Sequence, residues 1–130
     1  MIIKNEGSYA INWQDFDLKI KSAKMVLLCN PHNPTGTVWS EEELHKIAAS
    51  CTRHNVWLCS DEIHSDFVFN RSFTSALKIK KEKVVVFNSI SKTFNVPALT
   101  GSYMISTDDN FNHKFRTISR YRDFVNSPSV

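Results

Sequence analysis

Met25-Val-Leu-Leu-Cys-Asn-Pro-His-Asn-Pro-Thr-Gly36 is an apolar run that turns abruptly into a polar, proline-rich loop. Two later runs follow the same plan: Val56-Trp-Leu-Cys59 leads into Ser-Asp-Glu-Ile-His64, and Val84-Val-Val-Phe87 leads into Asn-Ser-Ile-Ser-Lys92. The apolar residues are continuous rather than alternating, which is typical of strands in a parallel sheet with both faces covered. A weaker fourth run, Ser102-Tyr-Met-Ile-Ser106, follows Gly101. The pattern predicts a sheet whose strands end in polar loops.

A helix is predicted between the first two strands. Ser40-Glu-Glu-Glu43 forms a capping box, and its acidic residues complement the positive end of the helix dipole. Asn55 is expected to end this helix in a left-handed conformation. Apolar residues recur between these limits at helical spacing, at Leu44, Ile47, Ala48 and Cys51. A last helix is predicted to begin near Asp108 or Asp109, with an apolar stripe of Phe111, Phe115 and Ile118. The fold class is therefore α/β.

Composition restricts the kind of protein. The chain has 130 residues, of which 42% are apolar and 22% charged, enough for one domain with a core. The net charge of +3 argues against a nucleic-acid or anionic membrane partner. Three cysteines without a Cys-x-x-Cys motif suggest a reducing compartment. With no secretory signal and no run long enough to span a membrane, the expected location is the cytoplasm. The basic run Lys78, Lys80, Lys81 and Lys83 is interpreted as a solvated loop or helix end.

The three loops are expected to meet at one edge of the sheet, because ligands of open parallel sheets bind beyond the carboxyl ends of the strands. Each loop also has an ordinary interpretation. The Asn-Pro loop is a dense turn signal, Asp61 is placed to cap a following helix, and Lys92 alone reads as a surface lysine. His64 and its acidic neighbours fit no compact metal-ligand spacing, and Ser-Ile-Ser-Lys-Thr lacks the glycines of a phosphate loop. Together, however, the loops predict a site.

The order of these motifs resembles the large domain of the fold-type I pyridoxal-phosphate enzymes. Within the class I/II aminotransferase superfamily, residues 29–36, 60–66 and 89–101 resemble the MalY/PatB branch of cystathionine β-lyases and other carbon–sulfur lyases. The resemblance runs from about Gly7 to the end of the chain. It implies the central part of a pyridoxal-phosphate-transferase-like large domain. The sheet of this domain is expected to be mostly parallel, with about four adjacent strands, the last of them antiparallel, and with covering helices.

The resemblance assigns the main chemical roles to Lys92 and Asp61. Lys92 matches the lysine that forms a Schiff base with pyridoxal 5'-phosphate. An amine suits this role because it can be exchanged for the substrate's amino group and then transfer protons. Asp61 matches the carboxylate that pairs with the pyridine nitrogen. Its negative charge keeps that nitrogen protonated and makes the ring an electron sink.

Three other residues match further parts of the family's cofactor site. Asn33 matches the amide that donates to the phenolic oxygen of the cofactor. His64 stands where many relatives have a tyrosine that also reaches this oxygen, and Ser89 matches a hydroxyl that binds the phosphate. Many aminotransferases have an arginine eight residues beyond the lysine as a second phosphate contact. Thr100 occupies that position here, which is usual in the lyase branch.

Members of this family are far longer than 130 residues. Residues 1–130 are therefore expected to form part of the large, cofactor-binding domain, without an N-terminal segment and the C-terminal small domain. The full-length protein is expected to be a homodimer that acts on amino-acid substrates. The narrower resemblance favours β-elimination from cystathionine-like substrates. An aminotransferase is the first alternative, since Lys92 and Asp61 serve both reactions. A fragment that does not turn over substrate is the second, and residues 1–130 alone are expected to be inactive.

Overall fold

A computed structural model describes residues 2–5, 7–98 and 101–121 of the chain. In chain order the elements are β1 (Ile2–Asn5), β2 (Ser8–Ile11), α1 (Trp13–Lys19), β3 (Met25–Cys29), α2 (Glu41–Arg53), β4 (Trp57–Asp61), a 3-10 turn (Ser65–Phe67), α3 (Ala76–Ile79), β5 (Val84–Ser89), α4 (Ile90–Thr93), β6 (Ser102–Ile105) and α5 (Asp109–Tyr121).

The main sheet has four strands in the order β3-β4-β5-β6. β3, β4 and β5 are parallel, and β6 runs antiparallel to β5. This confirms the expected α/β fold, including the direction of the last strand. Cys29, Asp61 and Phe87 lie side by side in the register, so the three parallel strands end at one edge of the sheet.

Helix α2 has the ends that the sequence predicts. The Ser40 hydroxyl accepts a hydrogen bond from the Glu43 amide at 3.1 Å, and the Glu43 carboxylate accepts one from the Ser40 amide at 2.8 Å. Asn55 has a φ of 58°, the left-handed conformation expected there. Because its ends are satisfied locally, α2 can present one apolar face to the sheet.

The core lies between α1, α2 and one face of the sheet. Buried side chains from strands and helices form one cluster there, and its members include Phe16, Val26, Leu28, Leu44, Ile47, Leu58, Val84 and Val86. Burying each of the larger apolar side chains contributes about 1.5–3 kcal/mol relative to leaving it in water. This packing fixes which residues of each strand point inward.

The opposite face of the sheet is only partly covered. Met25 and Leu27 of β3 are 51% and 77% exposed, although Val26 and Leu28 between and beside them are buried. The prediction that both faces of the strands are covered is therefore wrong for β3 in the described part of the chain. Helix α5 covers the neighbouring part of this face, near β4, where the Phe111 and Trp57 ring centroids are 4.9 Å apart. This cover leaves the Met25 and Leu27 side chains of β3 exposed.

Other segments confirm or correct the sequence-based interpretation. Helix α5 begins at Asp109, as predicted. Lys80 is buried and donates to Thr52 Oγ1 at 2.9 Å, so the interpretation of the basic run as solvated is wrong at this residue.

The hairpin of β1 and β2 and the helix α1 were not predicted, because short local segments carry little periodic signal. No helix in residues 2–5, 7–98 or 101–121 has the length and apolarity needed to cross a membrane.

Two adjacent leucines test which face of β3 is covered. Leu28→Ala removes a buried side chain, so we expect a loss of about 2–5 kcal/mol in the free energy of unfolding. Leu27→Ala removes an exposed one, and we expect a change of about 0.5 kcal/mol or less. Urea denaturation at several protein concentrations measures both. A large, concentration-dependent loss for Leu27→Ala would contradict the open face and show that another molecule covers it.

Candidate active site

A cavity of about 520 Å³ lies at the carboxyl ends of the parallel strands. Its lining includes Leu27, Cys29, Cys59, Asp61, Phe87 and Ser89. The volume falls in the range of small-molecule sites, about 300–1,000 Å³. The cavity lies at the sheet edge where the sequence predicts a ligand.

Asp61 is the last residue of β4 and presents an exposed carboxylate to this cavity. Its Oδ1 accepts a hydrogen bond from the Ile63 amide at 3.1 Å. Within the described residues no hydrogen bond reaches Oδ2, so this oxygen is available to a ligand. Asp61 does not cap the next helix, which removes the ordinary interpretation of this residue.

The neighbouring carboxylate, Glu62, makes a contact to the later helix α3. Its side chain is buried, and Oε1 accepts a hydrogen bond from the Ala76 amide in the first turn of α3 at 2.9 Å. Burial raises the pKa of the Glu62 carboxyl, and the hydrogen bond from Ala76 opposes this effect. The negative charge of Asp61 raises the pKa further. The sequence analysis did not identify Glu62, whose only signal is its position beside Asp61.

Ser89 caps the N-terminus of the short helix α4, and Lys92 lies within this helix. Ser89 is buried, lines the cavity and accepts a hydrogen bond from the Ser91 amide at 3.1 Å. Its hydroxyl donates to the Gly101 carbonyl at 2.7 Å. Lys92 is exposed and is not among the cavity-lining residues of the described chain.

Asn33 and His64 also lie outside the cavity lining. Asn33 is exposed, and its backbone amide contacts Cys29 Sγ at 3.5 Å. If both residues bind one cofactor, Asn33 and Asp61 are expected to lie close together, but no hydrogen bond between described residues joins their side chains. His64 is half-buried, its ring centroid is 6.3 Å from that of Phe67, and its Nδ1 is buried without a hydrogen-bond partner in the part of the chain described.

The structure thus brings Asp61 and Ser89 to one cavity and leaves Asn33, His64 and Lys92 beside it. The difference has a physical reason. Asp61 and Ser89 belong to paired strands, whose register fixes the side-chain direction, whereas the other three belong to loops or to a single helical turn. Thr100 lies outside the described residues.

Asn30 fastens the loop that carries Asn33. It is completely buried at the end of β3. Its Nδ2 donates to the Thr74 carbonyl at 3.3 Å, and its Oδ1 accepts from the Trp39 amide at 3.1 Å. One side chain therefore joins three segments beside the cavity. No sequence motif signals this role, because Thr74 lies 44 residues from Asn30 and both contacts are made to backbone atoms.

Cys59 also lines the cavity, but its surroundings disfavour thiolate chemistry. Burial raises the pKa of the Cys59 thiol above its ordinary value. Because the thiolate is the reactive form, this residue is a poor nucleophile at neutral pH. The polar side chains that line the cavity include the Asp61 carboxylate and the Ser89 hydroxyl.

The sequence matches the family model "Aminotransferase class I and II" over residues 2–129. The chain belongs to this family. It is 40% identical over 108 residues to Protein MalY of Escherichia coli (strain K12), covering 82% of this chain and 28% of that protein. It is 37% identical over 113 residues to cystathionine beta-lyase PatB of Bacillus subtilis (strain 168), covering 82% of this chain and 29% of that protein.

A solved structure supports the same assignment. Cystalysin from Treponema denticola, whose crystal structure contains a pyridoxal 5'-phosphate cofactor, superposes with a TM-score of 0.88 and 30% identity, covering 93% of this chain and 32% of that chain. These comparisons confirm the predicted family and fold. The chain spans less than a third of the length of the two curated relatives, at 28% and 29%.

Glu62 allows a test of the buried carboxyl. Because its folded-state pKa lies above the ordinary value of 4.5, the folded chain binds this proton more tightly than the unfolded chain. The free energy of unfolding should therefore fall as the pH rises from 4.5 through the raised pKa. Glu62→Gln keeps an oxygen for the Ala76 amide and removes the charge, so its stability should depend less on pH and be at least equal to wild type at neutral pH.

Urea denaturation between about pH 4 and pH 8 measures this effect. Glu82→Gln, a change at an exposed carboxyl, is the matched control and should retain the wild-type slope. Glu62→Ala also loses the acceptor for Ala76 and should be less stable at neutral pH by about 1 kcal/mol. A Glu62→Gln variant with the wild-type pH slope would contradict the assignment.

Proposed function

We propose that this chain is the cofactor-bearing part of a pyridoxal-phosphate-dependent carbon–sulfur β-lyase acting on cystathionine-like amino acids. The observation that carries the proposal is the meeting of Asp61 and Ser89 at one cavity, with Lys92 three residues beyond Ser89 on α4. The relatives add support, because PatB is named a cystathionine beta-lyase and cystalysin holds the cofactor.

The residues present fit this cofactor. A carboxylate, Asp61, suits a protonated pyridine nitrogen; hydroxyls suit a phosphate; and the amine of Lys92 suits an aldehyde. The buried Nδ1 of His64 has no partner among the described residues and is a polar atom that a ligand oxygen could satisfy. Each reactive part of the cofactor thus has a side chain of matching chemistry near the cavity.

In the proposed mechanism, pyridoxal phosphate would supply an electron sink for the α-carbon of the substrate when bound. Asp61 holds the ring nitrogen in its protonated form. Its carboxylate is already oriented by the Ile63 amide, so little reorganisation is needed when charge develops. Lys92 takes the proton from the α-carbon, and its exposed position leaves its amine free to move between the cofactor and the substrate.

The remaining predicted residues are proposed to orient the cofactor. Asn33 and His64 donate hydrogen bonds to the phenolic oxygen. Ser89 would bind the phosphate by exchanging its hydrogen bond to Gly101 for one to a phosphate oxygen. The Ser91 hydroxyl accepts from Ser89 at 3.0 Å, which leaves its own proton for a second phosphate contact.

Assembly and location are also part of the proposal. We propose a cytoplasmic homodimer for the whole protein, of which residues 1–130 are part of the large domain. Cys29, Cys51 and Cys59 are all free thiols, which supports a reducing compartment. The resemblance to the family supports the dimer.

Two other functions remain to be tested against the lyase. An aminotransferase is favoured by the family as a whole. It differs in needing a 2-oxo acid to accept the amino group, whereas elimination needs only a β-leaving group such as a thiolate. A chain that does not turn over substrate is the other alternative, because the match to MalY covers only 28% of that protein.

Covalent labelling tests the role of Lys92. Incubation with pyridoxal phosphate followed by borohydride makes the link between amine and aldehyde permanent, and peptide mass spectrometry locates it. We expect Lys92 to be labelled first, with the exposed Lys78 on α3 as the internal control. Equal labelling of both lysines would show surface amine chemistry only.

Product analysis tests the reaction. The whole protein that contains residues 1–130 is incubated with pyridoxal phosphate and cystathionine, and pyruvate and free thiol are measured. We expect both products, and we expect Asp61→Ala to reduce their rate by about a hundredfold or more while Lys92 labelling persists. Amino transfer to an added 2-oxo acid without pyruvate would favour the aminotransferase. No product by either route, with Lys92 labelled, would favour a chain that binds cofactor without turnover.

A further inference from the structure

Two hydrogen bonds join the loop after β4 to the segment that carries Lys92. The Thr93 hydroxyl donates to Asp66 Oδ2 at 2.7 Å, and the Asn88 side-chain amide donates to Ser65 Oγ at 3.3 Å. The partners are 27 and 23 residues apart, so both contacts are tertiary. Neither contact belongs to the proposed set of cofactor ligands.

The Thr93–Asp66 hydrogen bond connects the surroundings of the two main residues of the proposed mechanism. Thr93 follows Lys92 directly and is the last residue of α4. Asp66 lies in the 3-10 turn, five residues after Asp61. Loss of this hydrogen bond would therefore free the Lys92 segment to move relative to Asp61 without removing either functional group.

Helix α4 has few other contacts that fix its position. It contains four residues, and a helix of that length has little stability of its own. Ile90 and Phe94 are 44% and 68% exposed, so apolar burial contributes little. Among hydrogen bonds between described residues, only Thr93–Asp66 links residues 90–98 to chain outside residues 88–101.

The hydrogen bond between Thr93 and Asp66 is of a strong type that can hold α4 in position. A hydroxyl that donates to a carboxylate at this distance belongs to the stronger, charge-assisted class of hydrogen bonds. The Asn88–Ser65 hydrogen bond fixes the same two segments where β5 ends. The two contacts together restrain both ends of the path from the strand to Lys92.

We propose that Asp66 and Thr93 are positioning residues that hold Lys92 at a fixed place relative to Asp61. The effect is to orient the Lys92 amine for the cofactor aldehyde before the cofactor binds. This inference rests on the proposed function, which gives Lys92 its role.

The test measures the labelling of Lys92 relative to Lys78 in each variant, using pyridoxal phosphate and borohydride. Thr93→Val keeps the shape of the side chain and removes the donor, so we expect the ratio to fall about tenfold, equivalent to about 1.4 kcal/mol. Thr93→Ser keeps the hydroxyl and should restore most of the ratio. Asp66→Ala should cause a similar fall, and the double variant with Thr93→Val should lose no more than either single variant.

Two further measurements separate positioning from a general loss of stability. Ser40→Ala weakens the cap of α2, far along the chain from α4, and should leave the labelling ratio unchanged. Hydrogen exchange at the Phe94 and Val96 amides, which are bonded within the α4 turn, should become faster in Thr93→Val but not in Ser40→Ala.

The outcomes distinguish the two proposals. If wild-type Lys92 is labelled no faster than Lys78, the proposed function fails and the positioning role fails with it. If wild-type Lys92 is preferred but the ratio is the same in Thr93→Val and Asp66→Ala, only the positioning role is wrong. The same conclusion follows if Ser40→Ala lowers the ratio as much as Thr93→Val does.

Discussion

Parallel pairing of β3, β4 and β5 is the constraint on which the rest of the structure depends. It places Cys29, Asp61 and Phe87 side by side, so the residues after each strand emerge at a common edge. Burial of one sheet face against α2 maintains this register, because a shift by one residue would move every core side chain to the opposite face. A candidate site at this edge is a direct consequence of hydrophobic packing in the core.

Buried polar side chains convert this edge into an ordered site. Asn30 joins the loop after β3 to Thr74 and Trp39, and Glu62 joins the end of β4 to α3. Burying such groups is costly unless they are hydrogen-bonded, so each bond also removes a penalty that a loose loop would incur. The arrangement favours one conformation of the loops at the cost of some stability, seen in the raised pKa of Glu62.

The candidate site lies on the less covered side of the sheet. Leu27, Cys59 and Phe87 line the cavity and alternate with residues that face the core. In the described residues, α5 covers only the part of this face near Trp57. The same geometry that leaves Leu27 exposed therefore leaves the carboxylate of Asp61 open to a ligand. Access to the site and incomplete burial of the sheet have one structural origin.

The sequence by itself determined the positions of the main strands along the chain, the limits of α2 and the residues that follow each strand. These depend on local signals: continuous apolar runs, a capping box at Ser40 and a left-handed residue at Asn55. The motifs also identified the family, because their residues are close together in the chain.

Only the tertiary structure decided which groups meet. It placed Asp61 and Ser89 at one cavity, left Lys92 and Asn33 beside it, and joined Glu62, not Asp61, to the first turn of α3. It also buried Lys80 and exposed Leu27, both against the local pattern. The physical reason is that burial, and hydrogen bonds between residues 14 or more positions apart, depend on how whole elements pack, and no local spacing in the sequence records that packing.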